Sequence, residues 1–201
     1  MTRYLLPILL GIGLSLPCHA QPATGPADPV ADGLREAFRL HQKGDAEALA
    51  AKLRELVKLV EDKGAAKVAV LLPDKLGDWK AGELRREDMA ILGGGISLVR
   101  QYQSGEKSVN VKVVKDSPLA KQFIPILMNE DLMKASGRKS QRISGATGYM
   151  EGERKLQMVL EGTVYLELAG NDKTSANDVV ELARKLDLRA LGKLKKPPAA
   201  E

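Results

Sequence analysis

The clearest hydrophobic pattern in the chain is a pair of alternating segments that predicts a β-hairpin from Ile96 to Asp116. In residues 96–102 the even positions carry most of the bulk, and in residues 109–113 every odd position is valine. A period of two is what a strand with one buried face requires. Both segments are therefore predicted strands with one apolar and one wet face.

The same pattern fixes the register of this hairpin, because a slip by one residue would turn the valines toward solvent. A loop at Gly105-Glu106 places Tyr102 opposite Val109, which brings the two apolar rows onto one face. Glycine in the first loop position suits a type II′ turn. The neighbouring loop, Ser104-Gly105, is the alternative.

Helical periodicity marks both ends of the chain. Residues 30–64 form a predicted helical hairpin, in which Gly44 ends the first helix and the following aspartate caps the second. Residues 68–72 are either a last helical turn or a short buried strand, and periodicity leaves both open. Ser175, with Asp178 three residues later, resembles the capping box of a closing helix.

The region between the hairpin and the closing helix predicts one more helix and further strands. Asp116-Ser117-Pro118 is a good helix start, although Pro125 should kink or interrupt this helix. Alternating segments predict strands at 140–143, 146–150, 156–160 and 164–168. A three-residue loop, Leu160 to Gly162, would match the last two apolar rows.

These elements predict an α+β protein. Its sheet is an antiparallel meander of about five or six strands, with a C-terminal helix packed on it and an N-terminal helical hairpin. The predicted segments are a signal peptide at 1–20, a flexible leader at 21–29, the helical hairpin at 30–64, the α+β domain at 65–192 and a basic, proline-containing tail at 193–201.

The first twenty residues have the three parts of a secretory signal. Arg3 is followed by an apolar run from Leu5 to Leu16, and small residues precede the expected cleavage site after Ala20. The apolar run is shorter than the ~20 residues of a membrane-spanning helix. We therefore expect a periplasmic or secreted protein whose mature chain has no transmembrane anchor.

Cleavage would leave little reactive chemistry. Cys18 and His19 leave with the signal, so the mature chain has no thiol, and His41 is its remaining histidine. Aromatic residues are 3% of the chain, and the formal charge of +5 comes from basic residues mixed with acidic ones. These features argue against disulfides, thiol catalysis and nucleic-acid binding. We predict no catalytic residues, no metal site and no cofactor.

Three residues are candidates for ligand binding: Arg100, Trp79 and Tyr102. The alternation places Arg100 on the apolar face beside Leu98, where an unpaired guanidinium would be costly to bury. Arg100 must reach solvent, pair with a carboxylate, or line a pocket that accepts an anion. Trp79, at a predicted strand start, either seals one end of the sheet or stacks on a ligand.

Several short motifs occur in the order found in a group of uncharacterised bacterial periplasmic proteins. They are Leu72-Pro73, Gly77-Asp78-Trp79, Arg100-x-Tyr102, Asp116-Ser117-Pro118 and Ile143-Ser144-Gly145, followed by a closing helix. The chain resembles this group from Leu71 to Leu191. The order of strands and final helix is also similar to the PsbP-like fold of photosystem accessory proteins. The resemblance implies an accessory role and brings no catalytic residues.

The sequence therefore favours an exported, non-catalytic accessory or binding protein, whose partner is an unknown protein or small molecule of the envelope. One alternative is a hydrolase that uses carboxylates such as Glu151, Glu153 or Asp116. Another is a module that binds the envelope surface, either anionic lipid or peptidoglycan, through residues such as Lys112 and Lys115.

Overall fold

The computed structural model describes residues 28–194, so the predicted signal peptide, most of the leader and most of the basic tail lie outside the described residues. The described part begins with a helical hairpin formed by α1 (Pro29–Lys43) and α2 (Ala46–Ala69). Asp28 and Asp45 cap the two helices, and Gly44 adopts the left-handed conformation that ends α1.

The hairpin is longer than the predicted span, because α2 continues through Gly64 to Ala69. Gly64 does not break the helix. It lies against strand residue Ile96, whose Cδ1 would be 2.5 Å from an added Cβ. The glycine allows α2 to approach the sheet closely. Val68 lies in the last turn of α2, so the segment that begins there is a last helical turn and not a buried strand.

The sheet has eight strands, all paired antiparallel. They are β1 (Lys75–Leu76), β2 (Trp79–Glu87), β3 (Ile96–Ser104), β4 (Lys107–Lys115), β5 (Lys139–Ile143), β6 (Ala146–Glu151), β7 (Lys155–Leu160) and β8 (Val164–Gly170). The prediction of five or six strands was too low. The two-residue β1 is too short to show any alternation, whereas β2 begins at Trp79, the predicted strand start.

The strand order is β1-β2-β3-β4-β8-β7-β6-β5. The first four strands form one meander and the last four form another, and the two meanders join where β4 pairs with β8. Lys115 at the end of β4 lies opposite Val164 at the start of β8. The sheet is antiparallel as predicted, but the prediction of a single meander was wrong, because β4 pairs with β8 instead of with β5.

The central hairpin has the predicted register. Tyr102 lies opposite Val109, and Gly105-Glu106 forms the loop. Gly105 has a φ of 59°, as the first position of a type II′ turn requires. In the hairpin of β7 and β8 the loop is one residue later than predicted, because Leu160 still pairs with Val164.

One face of the sheet carries the main core. It packs against the end of α2 and against two C-terminal helices, α5 (Ala176–Lys185) and α6 (Leu188–Gly192). The sequence predicts a single closing helix there, but Leu186 ends α5 and Asp187 caps α6. The capping box of Ser175 and Asp178 is present. Leu98, Val111 and Val164 are buried in this core.

The opposite face is partly covered by α3 (Pro118–Met128) and α4 (Glu130–Ala135). Ser117 caps α3 as predicted, whereas Pro125 lies within the helix and does not interrupt it. A single turn of 3₁₀ helix at Ala90–Leu92 leads to three glycines that precede β3. In the part of the chain that the structure describes, no helix has the length and apolar character needed to cross a membrane.

Candidate functional site

A cavity of about 850 Å³ lies between the α3-α4 pair and the sheet face opposite the main core. Its floor is formed by residues of β4, β7 and β8, and its side wall includes the segment that comes after β2. Helix α3 contacts β7 and helix α4 contacts β5, so the two helices span this face of the sheet. The cavity is open to solvent on one side.

Most of the cavity wall is apolar. The apolar side chains include Val114, Leu119, Phe123, Ile126, Leu132 and Met133. Met133 is buried and belongs to a small cluster with Leu127 and Tyr149, which holds α3 and α4 on the sheet. Phe123, Ile126 and Leu132 remain about half exposed. Such exposed bulky side chains around a concave surface are typical of a binding site.

The floor of the cavity contains a polar network of three residues on β7 and β8. Tyr165 donates its hydroxyl proton to Glu167 Oε2 at 2.6 Å. Gln157 Nε2 donates to the Tyr165 oxygen at 2.9 Å and to Glu167 Oε2 at 3.2 Å. Gln157 and Tyr165 line the cavity. Gln157 and Glu167 are opposite one another in the sheet, which explains why the network is compact.

This network sets the protonation of its members. Burial alone raises the pKa of Glu167, but the hydrogen bonds from Tyr165 and Gln157 and the charge of Lys155 outweigh it. The pKa of Glu167 is therefore below its ordinary value. Burial, together with the hydrogen bond to Glu167, raises the pKa of Tyr165. At neutral pH the site holds an ionised glutamate and a neutral tyrosine.

One polar atom of the network has no protein partner. Gln157 is 8% exposed, and no protein group donates to its buried Oε1 atom. Among buried side-chain nitrogen and oxygen atoms of residues 28–194, it alone lacks a hydrogen-bond partner. Because buried polar atoms are almost always hydrogen-bonded, an orphan acceptor in a cavity wall points to a group that comes from outside the chain.

Three charged side chains of the cavity wall, Glu87, Lys112 and Arg138, are already paired. Lys112 lies 2.7 Å from Glu87, which also accepts a hydrogen bond from Ser97 at 2.8 Å. The bond from Lys112 holds the pKa of Glu87 below its usual range. Arg138 lies 3.2 Å from Glu151. The wall therefore has mixed charge, and both of these cations are engaged in ion pairs.

The three residues that the sequence selected lie elsewhere. Arg100 donates to the carbonyl oxygen of Leu72, to the Asp74 carboxylate and, at 3.1 Å, to the carbonyl oxygen of Gly82. Of the three alternatives for Arg100, pairing with a carboxylate is the one observed. Its side chain is 13% exposed. Arg100 thus ties β3 to the segment between α2 and β1.

Tyr102 and Trp79 are core residues in this structure. Tyr102 is fully buried and donates to the Pro73 carbonyl oxygen at 3.0 Å, and burial raises its pKa to about 12. Trp79 is buried in the main core at the start of β2. None of Arg100, Tyr102 and Trp79 lines the large cavity. Their contacts stabilise the fold, and the ligand-binding role predicted for them stays a prediction.

The carboxylates considered for hydrolysis are dispersed or paired. Glu151 lies within ion-pair distance of Arg138 and Lys155, Asp116 pairs with Lys115, and Glu153 is exposed in a turn. His41 is exposed in the last turn of α1. Among residues 28–194, no group of three or more His, Cys, Asp and Glu side chains is arranged to hold a metal ion.

Sequence reasoning missed the cavity because its floor lies on the face that alternation assigns to solvent. Gln157, Tyr165 and Glu167 occupy the polar positions of β7 and β8. One signal could have revealed the site. Helix α3 carries bulky apolar residues beyond the side that it buries: Ile124 and Leu127 are buried, whereas Phe123 and Ile126 are about half exposed, which indicates a helix with a second apolar surface.

Comparison of the chain with protein-family models, with curated proteins and with solved structures found no match. The function must therefore be inferred from the geometry of the fold and of the cavity.

Proposed function

We propose that the protein is an exported, non-catalytic binding protein that takes a small, largely apolar ligand into the cavity between α3-α4 and the sheet. The observation that carries the proposal is a cavity of about 850 Å³ whose wall is mostly apolar and whose floor holds a few fixed polar groups. Small-molecule sites have this combination and typically occupy ~300 to 1,000 Å³.

The size and the depth of the cavity favour a small molecule over a folded protein partner. A protein interface is usually a broad surface with a polar rim, whereas this site is a concave space closed by two helices on one side and the sheet on the other. Phe123 and Ile126 on α3 and Leu132 on α4 would cover an apolar ligand, and their own exposed area would then be removed from water.

The protonation of the cavity supports a binding role rather than hydrolysis. A general acid at neutral pH needs a carboxyl group whose pKa is raised, but the pKa values of Glu87 and Glu167 are both lowered. The hydrolase alternative is less well supported, because Glu151 and Asp116 are engaged in ion pairs with Arg138 and Lys115.

Export and an accessory role complete the proposal. They are supported by the signal-like first twenty residues and by the motif order that resembles uncharacterised periplasmic proteins and the PsbP-like fold. Binding to the envelope surface is less well supported, because Lys112 and Lys115 are both engaged in ion pairs. A ligand site on an exported accessory protein suits storage or transfer of an apolar molecule in the envelope.

Titration of the mature protein with the apolar fluorophore N-phenyl-1-naphthylamine tests the binding role. We expect saturable fluorescence enhancement that Ile126→Asp weakens by at least about fivefold, since a charge replaces an apolar wall residue. Ile91→Asp is the matched control, because Ile91 is 97% exposed and does not line the cavity. Equal binding by wild type and Ile126→Asp would refute the proposed site.

Export is tested separately by fractionation of cells that express the full chain or a chain without residues 1–20. We expect the full chain in the periplasm with a mature N-terminus at Gln21, and the shortened chain in the cytoplasm. Recovery of the uncleaved full chain from the cytoplasm would contradict the export proposal without affecting the binding site.

A further inference from the structure

We infer that the ligand of the proposed binding site carries a neutral hydrogen-bond donor, a hydroxyl or an amide N–H, which binds Gln157 Oε1. This inference rests on the proposed function and specifies the chemistry of its ligand. The hydrogen bonds already made in the cavity floor determine which group remains free to meet that ligand.

Every donor of the floor network is already used. The Gln157 amide has two protons, and Nε2 directs them to the Tyr165 oxygen and to Glu167 Oε2. The single hydroxyl proton of Tyr165 goes to the same glutamate oxygen. The network therefore presents acceptors and no free donor to the cavity.

Gln157 Oε1 is the acceptor that lacks a partner. The amide cannot turn over to offer a donor instead, because the turned group would place its oxygen against the ionised carboxylate of Glu167. Two oxygen atoms would then meet without a proton between them. The ionised state of Glu167 thus fixes the orientation of the Gln157 amide and leaves a buried acceptor without a partner in the cavity floor.

Charge around the floor excludes an anionic head group. A carboxylate at this place would bring a second acceptor to Gln157 Oε1, while Lys112 and Arg138 are held by Glu87 and Glu151. Glu167 itself has Lys155 at 3.4 Å, so its charge is already neutralised for an incoming ammonium group. An uncharged donor avoids both the repulsion and the cost of burying a charge.

Two isomeric probes distinguish a ligand that can donate a hydrogen bond from one that can only accept it. We propose to compare 1-decanol with 1-methoxynonane, which has the same atoms but no hydroxyl proton, and to add decanoate as the anionic probe. Each competes with N-phenyl-1-naphthylamine for the mature protein. We expect 1-decanol to displace the fluorophore at a concentration at least about tenfold lower than 1-methoxynonane, and decanoate to be weaker than 1-decanol.

Substitution of Gln157 assigns the effect to its side-chain oxygen. We expect Gln157→Met, which keeps the length of the side chain but removes the acceptor, to weaken 1-decanol to the level of 1-methoxynonane and to leave the ether unchanged. Because this change also removes two donors from the network, the comparison of probes on the wild-type protein stands as an independent test if the variant does not fold.

The outcomes separate this inference from the proposed function. If the fluorophore binds and Ile126→Asp weakens it, but the two isomers displace it equally or decanoate is the strongest probe, the donor inference is wrong and the binding role remains. If neither the fluorophore nor any probe binds, the proposed function itself fails. A preference for 1-decanol that persists in a folded Gln157→Met protein would also overturn the inference.

Discussion

The Tyr165 hydroxyl lies 2.6 Å from Glu167 Oε2, two residues along the same strand and on the same face of the sheet. This bond keeps a partly buried glutamate ionised beneath an apolar cavity. It also removes the one proton that Tyr165 could have offered to a ligand. The protonation of Glu167 and the hydrogen-bonding character of the cavity floor therefore depend on the same contact.

Replacing Tyr165 with phenylalanine should raise the pKa of Glu167, because burial would then be opposed by fewer hydrogen bonds. The measurement is a carboxyl-detected NMR titration of both proteins. Tyr149→Phe is the control, since Tyr149 lies in the cluster against which Tyr165 packs but does not contribute to the pKa shift of Glu167, and it should leave the Glu167 titration unchanged. An unchanged pKa in Tyr165→Phe would show that the hydrogen bond does not control the carboxylate.

The acid sensitivity of the fold should change in the same variant. The pKa of Glu167 is below 4.5 in the folded protein, so its ionised form stabilises the fold above that pH. This contribution is lost as the pH falls from 4.5 through the folded value. Tyr165→Phe brings the pKa of Glu167 in the folded protein closer to its value in the unfolded protein. The variant should therefore lose less of its unfolding free energy than wild type over that interval. Urea denaturation at several acidic pH values measures the difference.

Replacing Arg100 with methionine should lower the free energy of unfolding by about 2–4 kcal/mol. The change removes three hydrogen bonds from a charged donor and leaves the Leu72 carbonyl group without its partner. Arg142→Met is the matched control, because Arg142 is an exposed strand residue with a single 3.5 Å contact to Thr147, and should change stability by less than about 0.5 kcal/mol. Similar urea midpoints for the two variants would show that the Arg100 contacts contribute little.

Tyr102 should make the fold sensitive to alkali. Burial raises its pKa from 10 to about 12, so the neutral phenol stabilises the folded state below pH 10, and this contribution is lost as the pH rises toward 12. Tyr102→Phe cannot ionise and should lose less stability than wild type over that interval. At neutral pH the variant should be less stable by about 1 kcal/mol, since it lacks the bond to Pro73. Melting curves across the alkaline range would test both effects.

Replacing Gly95 with alanine should destabilise the fold by more than about 2 kcal/mol. Its φ is 107°, and an added Cβ would lie 2.8 Å from backbone atoms of Ser117 and 2.9 Å from the carbonyl oxygen of Lys115. Because Ser117 caps α3, the change should also weaken fluorophore binding in the cavity. Gly105→Ala is the control: its φ is 59° with open space around it, so it should cost only about 1–2 kcal/mol of backbone strain. Equal losses would show that the contact with Ser117 is unimportant.

Local sequence signals predicted much of the fold. The alternating valines fixed the partners of β3 and β4, and the glycine at position 105 placed their loop, because register and turn geometry are decided by neighbours in the chain. The caps at Ser117 and Ser175 were recognisable for the same reason. The number of strands was not, since β1 has only two residues and is too short to show an alternating pattern.

The candidate site could not be predicted from such signals. A polar residue at a wet strand position looks the same whether it faces bulk water or a cavity, and only the placement of α3 distinguishes Gln157 from an ordinary surface residue. On α2 the hydrophobic pattern errs in the other way, because it assigns to the core several residues that are exposed. Leu53, Val57 and Val60 repeat with the helical period, yet they remain about half exposed, whereas Leu56 is buried.

The junction of the two meanders also has a kinetic consequence. Six of the strand pairings join neighbours in sequence, whereas β4 must find β8 across the whole of α3, α4, β5, β6 and β7. Closing that long stretch loses chain entropy before any contact is gained. We therefore expect each meander to form early and the pairing of β4 with β8 to limit the folding rate. Since the cavity floor spans β4, β7 and β8, it would be assembled only in that final, slow step.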